Sequence, residues 1–142
     1  MNQGVVALVA VVVLATAFGL WRRFSDGRFR ATDNGANSTT DALTAGELGQ
    51  SLGERATLVQ FSSEFCAPCR ATRVVLNEVA EHTPGVRHVE LDAETHLELI
   101  RRFDVRRTPT LLVLDSLGVV RHRAAGATDR AHVLSALASV TS

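Results

Sequence analysis

The sequence contains no lysine and no tyrosine, only two cysteines, three prolines and one tryptophan, and its formal net charge is zero. Each shortage excludes something. Without a basic block there is no electrostatic footprint for nucleic acid, and no nucleic-acid partner is expected. Without an acidic tract there is no signature of a solvated tail. All 15 basic residues are arginine, which reads as a codon bias and carries no mechanism. Two cysteines are too few for a disulfide scaffold, which normally distributes four or more along the chain. They stand three positions apart, as Cys66 and Cys69. A bridge between them closes so small a loop that it constrains the unfolded chain little. The pair is therefore chemical rather than structural.

Charge is missing altogether between Asn2 and Trp21, and Val5 to Leu14 is an unbroken aliphatic run. About 20 apolar residues span a bilayer as a helix. Trp21 ends the run, where an indole favours the membrane interface, and Arg22, Arg23, Arg28 and Arg30 follow. Residues 1–24 are thus predicted to be a single-pass transmembrane anchor in the cell membrane. A cleaved signal peptide is the alternative, with Ala15-Thr16-Ala17 as a small-residue cleavage site. Against it, a signal peptide carries its positive charge before the apolar run, and here the run continues past that site. The arginines all lie on the C-terminal side, which places the following domain in the cytoplasm by the positive-inside rule. An extracytoplasmic domain is the other orientation. Residues 25–40 are polar and rich in Gly, Asn, Ser and Thr, the composition of a flexible linker.

Residues 41–142 suffice for one compact domain. A short helix begins at Thr44 and runs to about Leu52. Ala56 to Ser62 reads as a strand, Cys66 to His82 as a helix closed by Pro84-Gly85, and Val86 to Leu91 as a second strand. A short helix covers His96 to Phe103. Thr110 to Leu114 is a buried strand, Asp115 to Gly118 a hairpin turn and Val119 to Ala124 its partner strand. Asp129 caps a last helix through Val140. The order predicts an α/β sandwich, a central mixed sheet flanked by helices, and no internal repeat is visible.

Cys66-Ala67-Pro68-Cys69 falls directly after a strand and at the head of a helix. Unpaired backbone N–H groups and the positive end of the helix dipole favour a thiolate there. Cys66 is therefore expected to be the acidic nucleophile, with Arg70 and Arg73 adding positive field. Cys69, one turn further in, is placed to resolve a mixed disulfide. Pro68 suits the first turn, where no N–H is needed. A metal site would need two further ligands. His82, His88 and His96 show no paired spacing, so neither a metal nor a cofactor is assigned.

At these residues the chain resembles the thioredoxin family. Phe61-Ser62-Ser63-Glu64-Phe65-Cys66-Ala67-Pro68-Cys69-Arg70 is similar to the family's FWAxWCGPCK stretch, and Val105-Arg106-Arg107-Thr108-Pro109-Thr110 to its V-x-x-x-P-T segment. Asp92 and Gly126 match the Asp that ends a strand and the Gly before the last helix. The likeness covers about Asp41 to Ser139. It implies a thioredoxin-like sandwich and a redox-active Cys66–Cys69 disulfide. It also implies a cis Thr108–Pro109 bond in a loop against that disulfide, with the backbone of Thr108 pairing with substrate. The departures carry information too. Gln60 stands where the family has a buried Asp, and His88 where it has a Lys; the two are expected to form a neutral polar pair beneath the site with water or His88 relaying the proton, the alternative being a His88 that is simply packed or points to solvent. Phe65 and Ala67 replace Trp and Gly, which weakens the expectation of a standard flavin-dependent thioredoxin reductase and brings membrane redox donors into view.

The function implied is a membrane-bound thiol–disulfide oxidoreductase that reduces disulfides in partner proteins and is itself reduced by an upstream thiol reductant or membrane donor. Three alternatives stay open: an outward-facing protein that keeps envelope or cytochrome thiols reduced, a non-catalytic binding module on the same fold, and metal delivery.

Overall fold

Strands alternating with helices close into a five-stranded mixed sheet covered on both faces, as the sequence order predicts. The computed structural model describes residues 2–25, 28–31 and 41–142. Its elements are α1 (Gln3–Ser25), β1 (Arg30–Ala31), α2 (Ala45–Leu48), β2 (Ala56–Ser62), α3 (Ala67–His82), β3 (Val86–Asp92), α4 (Leu97–Arg102), β4 (Thr110–Asp115), β5 (Val120–Ala125) and α5 (Arg130–Val140). The strand order is β1-β5-β4-β2-β3. Among the described residues only β2 and β3 run parallel; the other pairs are antiparallel.

The core follows from β2, all seven of whose residues are buried. Successive side chains leave a strand on opposite faces, so β2 feeds two cores. On one face Val59 and Phe61 join Val89, Leu91, Leu112 and Leu114 beneath α2 and α4. On the other, Leu58, Leu111 and Val113 pack against Leu76 and Val79 of α3 and Val133 and Leu137 of α5. Fully burying such a side chain contributes about 1.5–3 kcal/mol, so these two layers dominate the stability.

Local chemistry sets the ends of the elements. Thr44 and Glu47 form a capping box at α2, with Glu47 Oε2 accepting the Thr44 N–H at 2.8 Å. The helix expected to reach Leu52 stops at Leu48, because Gly49 turns left-handed (φ 69°) and closes it after one turn. Asp129 caps α5 by accepting the His132 N–H at 2.9 Å. The turn between β4 and β5 needs Gly118: its φ is +83°, and a Cβ there would lie 2.2 Å from the Leu43 carbonyl oxygen.

Part of the stretch expected to be a free linker enters the sheet. Arg30 pairs with Arg123 and Ala31 with His122, and Phe29 packs against the core beneath α3 and α5. The reason is the edge of β5, whose backbone groups offer a ready partner to any chain segment tethered beside it. The remainder of that expected linker, residues 26–27 and 32–40, lies outside the described residues. Every side chain from Asn2 to Arg22 is exposed. The helix α1 is long and apolar enough to cross a membrane, an appearance that an anchor shares with a signal sequence.

Candidate functional site

The site is built where β2 ends and α3 begins. The Cys66 N–H donates to the Ser63 carbonyl (3.3 Å), and Cys66 is the N-cap of α3. Pro68 occupies the first turn. Cys66 and Cys69 are joined by a disulfide with a Cα–Cα separation of 5.2 Å. The backbone N–H of Cys69 also points at Cys66 Sγ, at 3.2 Å. The two sulfurs differ in access: Cys66 is half-buried, whereas Cys69 is 1% exposed. Phe65, beside them, is 91% exposed.

The loop before β4 closes on this turn. The Thr108–Pro109 bond is cis. The hydroxyls of Thr108 and Ser63 are 3.0 Å apart, which ties the loop to the segment leading into Cys66. Three further bonds fix the loop. The Gly126 N–H donates to the Pro109 carbonyl (2.7 Å), the Thr110 hydroxyl to the Arg107 carbonyl (2.7 Å), and the Arg107 guanidinium to the Ala125 carbonyl (2.9 Å). Gly126, singled out in the sequence, takes a φ of 96° here.

A cleft of about 500 Å³ opens beside Cys66, lined by Ser62, Ser63, Glu64, Arg70, Arg73, Glu90 and Asp92. Arg73 does not act as the free positive field that the sequence suggests. Its guanidinium grips Glu90 with two bonds, 2.5 and 2.7 Å, so its charge is largely offset. Burial pushes the Glu90 carboxyl up, but Arg73 and the Ser62 hydroxyl outweigh it and hold the group below the usual carboxylate range. Asp92 lies exposed at the rim and accepts the Glu94 N–H at 2.9 Å.

Gln60 and His88 do not bond to each other. Gln60 is fully buried, and its amide N–H groups donate to Ser62 Oγ and to the Cys69 carbonyl, both at 2.9 Å. His88 instead donates from Nδ1 to Asn77 Oδ1 of α3 at 2.6 Å. The reason is register. Gln60 stands opposite Glu90 in the parallel pair, and His88 opposite Leu58, one step further from the cysteines. Burial and the nearby Arg73 hold the His88 imidazole below its ordinary pKa, against the opposing pull of Glu90. Gln60 Oε1 and His88 Nε2 are buried with no partner among the described residues, as is Thr72 Oγ1 on α3. His82 and His96, the other histidines weighed as ligands, bond to the Glu78 and Asp92 carbonyls.

The sequence reading missed Ser62, Thr72, Asn77 and the Arg73–Glu90 pair. Ser62 carried a signal, since it is two residues from Gln60 on one strand and shares its face. The Arg73–Glu90 contact carried none, because it depends on how α3 crosses β3.

Comparison with known proteins places this geometry. Residues 39–139 match the thioredoxin family model. Thioredoxin from Mycobacterium tuberculosis is 33% identical over 113 residues, covering 77% of this chain and 95% of that protein. Among solved structures, a point mutant of thioredoxin from Halobacterium salinarum NRC-1 superposes with a TM-score of 0.58 at 24% identity, over 63% of this chain and 77% of that one. Malassezia sympodialis thioredoxin does so at 0.53 and 19% identity, over 64% and 79%. Both structures show likeness of fold.

Proposed function

The chain belongs to the thioredoxin family and is a thiol–disulfide oxidoreductase, and from that premise we propose that it reduces disulfides of partner proteins at a membrane surface, held there by α1. Cys66 is the nucleophile. In the reduced protein its thiolate is favoured by the α3 N-terminus and by the Cys69 N–H aimed at it. It attacks one sulfur of a client disulfide, forms a mixed disulfide and expels the other client sulfur as a thiolate, which takes a proton from water. Cys69 then loses its proton and attacks Cys66 Sγ, and the second client thiolate leaves. The client gains two electrons and two protons overall, and the protein is left with the Cys66–Cys69 bridge described above. An upstream dithiol or membrane donor must reduce that bridge before the next cycle. Thr108 offers its backbone to the client chain, and Pro109, with no N–H, leaves the loop edge open.

Gln60 and His88 enter this reading as positioning and proton-handling groups. Gln60 ties the Cys69 carbonyl to β2, so it holds the resolving turn in place. Burial holds the His88 pKa down, and one ring nitrogen has no partner among the described residues, so His88, on the same sheet face as Gln60, is suited to receive a proton there. The arginines after α1 support a cytoplasmic domain by the positive-inside rule.

The observation that carries the proposal is the pair itself: an accessible sulfur capping a helix, with a buried one a turn behind it and the cis-proline loop alongside. The test is insulin disulfide reduction by the full chain in detergent micelles, with a soluble dithiol as electron source. The wild type should accelerate the reaction well above the dithiol alone, and Cys66→Ser should abolish the gain. Cys69→Ser should arrest as a mixed disulfide. A wild-type rate equal to that of the dithiol alone would refute the assignment.

A further inference from the structure

The short strand β1 has a direction, and that direction orients the whole domain. Because β1 runs antiparallel to β5 with Arg30 opposite Arg123, the chain preceding Arg30 advances towards Ala125. Ala125 pairs with Thr110, the residue after Pro109, so this is the end of the sheet that carries the redox site. Phe29 packs into the core and fixes the segment there. Only residues 26–29 separate Ser25, the last residue of α1, from Arg30. Even fully extended, they reach at most about 18 Å. The apolar helix therefore leaves the domain at its redox end and cannot carry that end far from where the helix stops.

The surface at this end has matching chemistry. A groove of about 700 Å³ lies between the segment before β1 and the loop leading to Thr108. Among the described residues, Arg28, Arg30, Arg106, Arg107 and Arg123 line it, against one carboxylate, Asp104. Asp104 pairs with Arg106 at 3.0 Å, whereas Arg123 directs its guanidinium to the carbonyls of Phe103 and Asp104, which leaves its charge uncompensated by those contacts. Arg22 sits at the end of the apolar helix nearest this groove in sequence. Arginines clustered within a few residues of a membrane span are attracted to anionic lipid.

Resting on the reading of α1 as an anchor and of the cysteine pair as a reductase, we propose that this arginine groove binds anionic phospholipid headgroups, so that the redox site faces the bilayer and serves disulfides close to the membrane surface in other integral membrane proteins. The groove and the pairing of β1 with β5 act together. The strand sets which end of the domain meets the membrane, and the arginines hold it down. A client loop far above the bilayer meets the wrong end of the molecule.

The experiment uses the full chain in nanodiscs of neutral lipid or of neutral lipid mixed with anionic phosphatidylglycerol. A fluorophore is placed on Cys66 of the Cys69→Ser variant and quenched by headgroup spin labels. Quenching should be strong in the anionic discs and weaken in high salt or in neutral discs. Each arginine near a charged surface strengthens docking about fivefold, so Arg28→Gln with Arg30→Gln should lower the docked-to-free ratio about 25-fold. Separately, the wild-type chain should reduce a disulfide loop set a few residues from a transmembrane peptide at least about tenfold faster than the same loop on a long flexible spacer. Equal rates on the two loops, or quenching indifferent to lipid charge, would overturn the proposal. So would tighter binding of the labelled domain to a soluble Glu-rich peptide than to the anionic discs, which would make the groove a site for acidic protein segments. Loss of α1 from the purified chain would overturn it through the anchor, and failure of insulin reduction in detergent through the chemistry, so the three failures are told apart.

Discussion

The two faces of the central sheet are supplied by the same strands, yet they treat buried polar groups differently. Under α2 and α4, Thr57 and Thr110 are fully buried and each is satisfied: Thr57 Oγ1 accepts the Gly53 N–H at 2.9 Å, and the Thr110 hydroxyl donates to the Arg107 carbonyl. Under α3 and α5, Gln60 Oε1, Thr72 Oγ1 and His88 Nε2 are buried and find no partner among the described residues. An unsatisfied buried polar atom costs about 1–3 kcal/mol. The first face is thus built for stability. The second sits behind Cys69, where a proton must leave during each cycle, and it retains polar atoms that a purely structural core would have replaced.

The largest expected effect comes from breaking the first face. Phe61 is fully buried among Val89, Leu91 and Leu112. Phe61→Ala should destabilise the domain by about 3–5 kcal/mol, through lost burial and the cavity left behind. Urea unfolding measures it, and the fraction that remains folded should keep its rate of insulin reduction. The neighbouring residue on the other face should answer in the opposite way. Gln60→Leu removes an unpaired oxygen along with two bonds, so its stability should change by no more than about 1 kcal/mol. Its mixed disulfide, trapped by acid quench during turnover, should persist longer, because the Cys69 turn loses its tie to β2. If Gln60→Leu unfolds the domain as severely as Phe61→Ala, the contrast between the faces is wrong.

The same contrast separates what was legible in the sequence from what was not. The two-sided core was readable because the mostly apolar runs of β2 and β4 are a local property, and so was the helix start at Cys66, where Pro68 and the cysteine spacing agree. The cis bond was expected only through likeness to a family, on Thr108-Pro109-Thr110. The pairing of Gln60 with His88 failed because parallel register decides which residues face each other, and register belongs to the two strands together, not to either alone. Arg73 was legible as a charge but not as half of an ion pair, because that contact depends on how α3 crosses β3. Arg30 and Ala31 looked like linker because their role depends on an edge that β5 exposes far along the chain.

A smaller effect tests the rim of the stable face. Glu47 caps α2 and also receives Arg102 of α4 at 2.6 Å, so one carboxylate staples two elements over that core. The Arg102 guanidinium, then the Thr44 N–H, hold its pKa down to about 2. Glu47→Gln should lower stability at neutral pH by about 1 kcal/mol, a capping-scale loss, since a partly exposed pair is screened by solvent. The sign with pH is definite. A carboxyl whose folded pKa lies below its ordinary 4.5 stabilises the fold above that value, and the gain drains away as pH falls from 4.5 towards 2. Wild type and Glu47→Gln should therefore converge in acid; a gap that stays constant down to pH 2 would remove the ion pair from the account.

The smallest effect is a slope rather than a level, and it belongs to the other face. Burial keeps the His88 imidazole below its ordinary pKa of 6.5. The unfolded chain then binds the proton more readily than the folded one, so the stability is complete above about pH 6.5 and declines as the pH drops through that value towards the folded pKa. His88→Ala removes this decline, and the difference between its urea midpoints at pH 7.5 and pH 5.5 should be smaller than in the wild type. A structural histidine would give only that. If His88 also receives the proton that Cys69 gives up, the variant should lose resolving rate in the neutral range and converge with the wild type in alkali, where the Cys69 thiol ionises unaided. A variant that shows the flattened stability slope but an unchanged rate profile would confine His88 to packing and leave proton transfer to solvent.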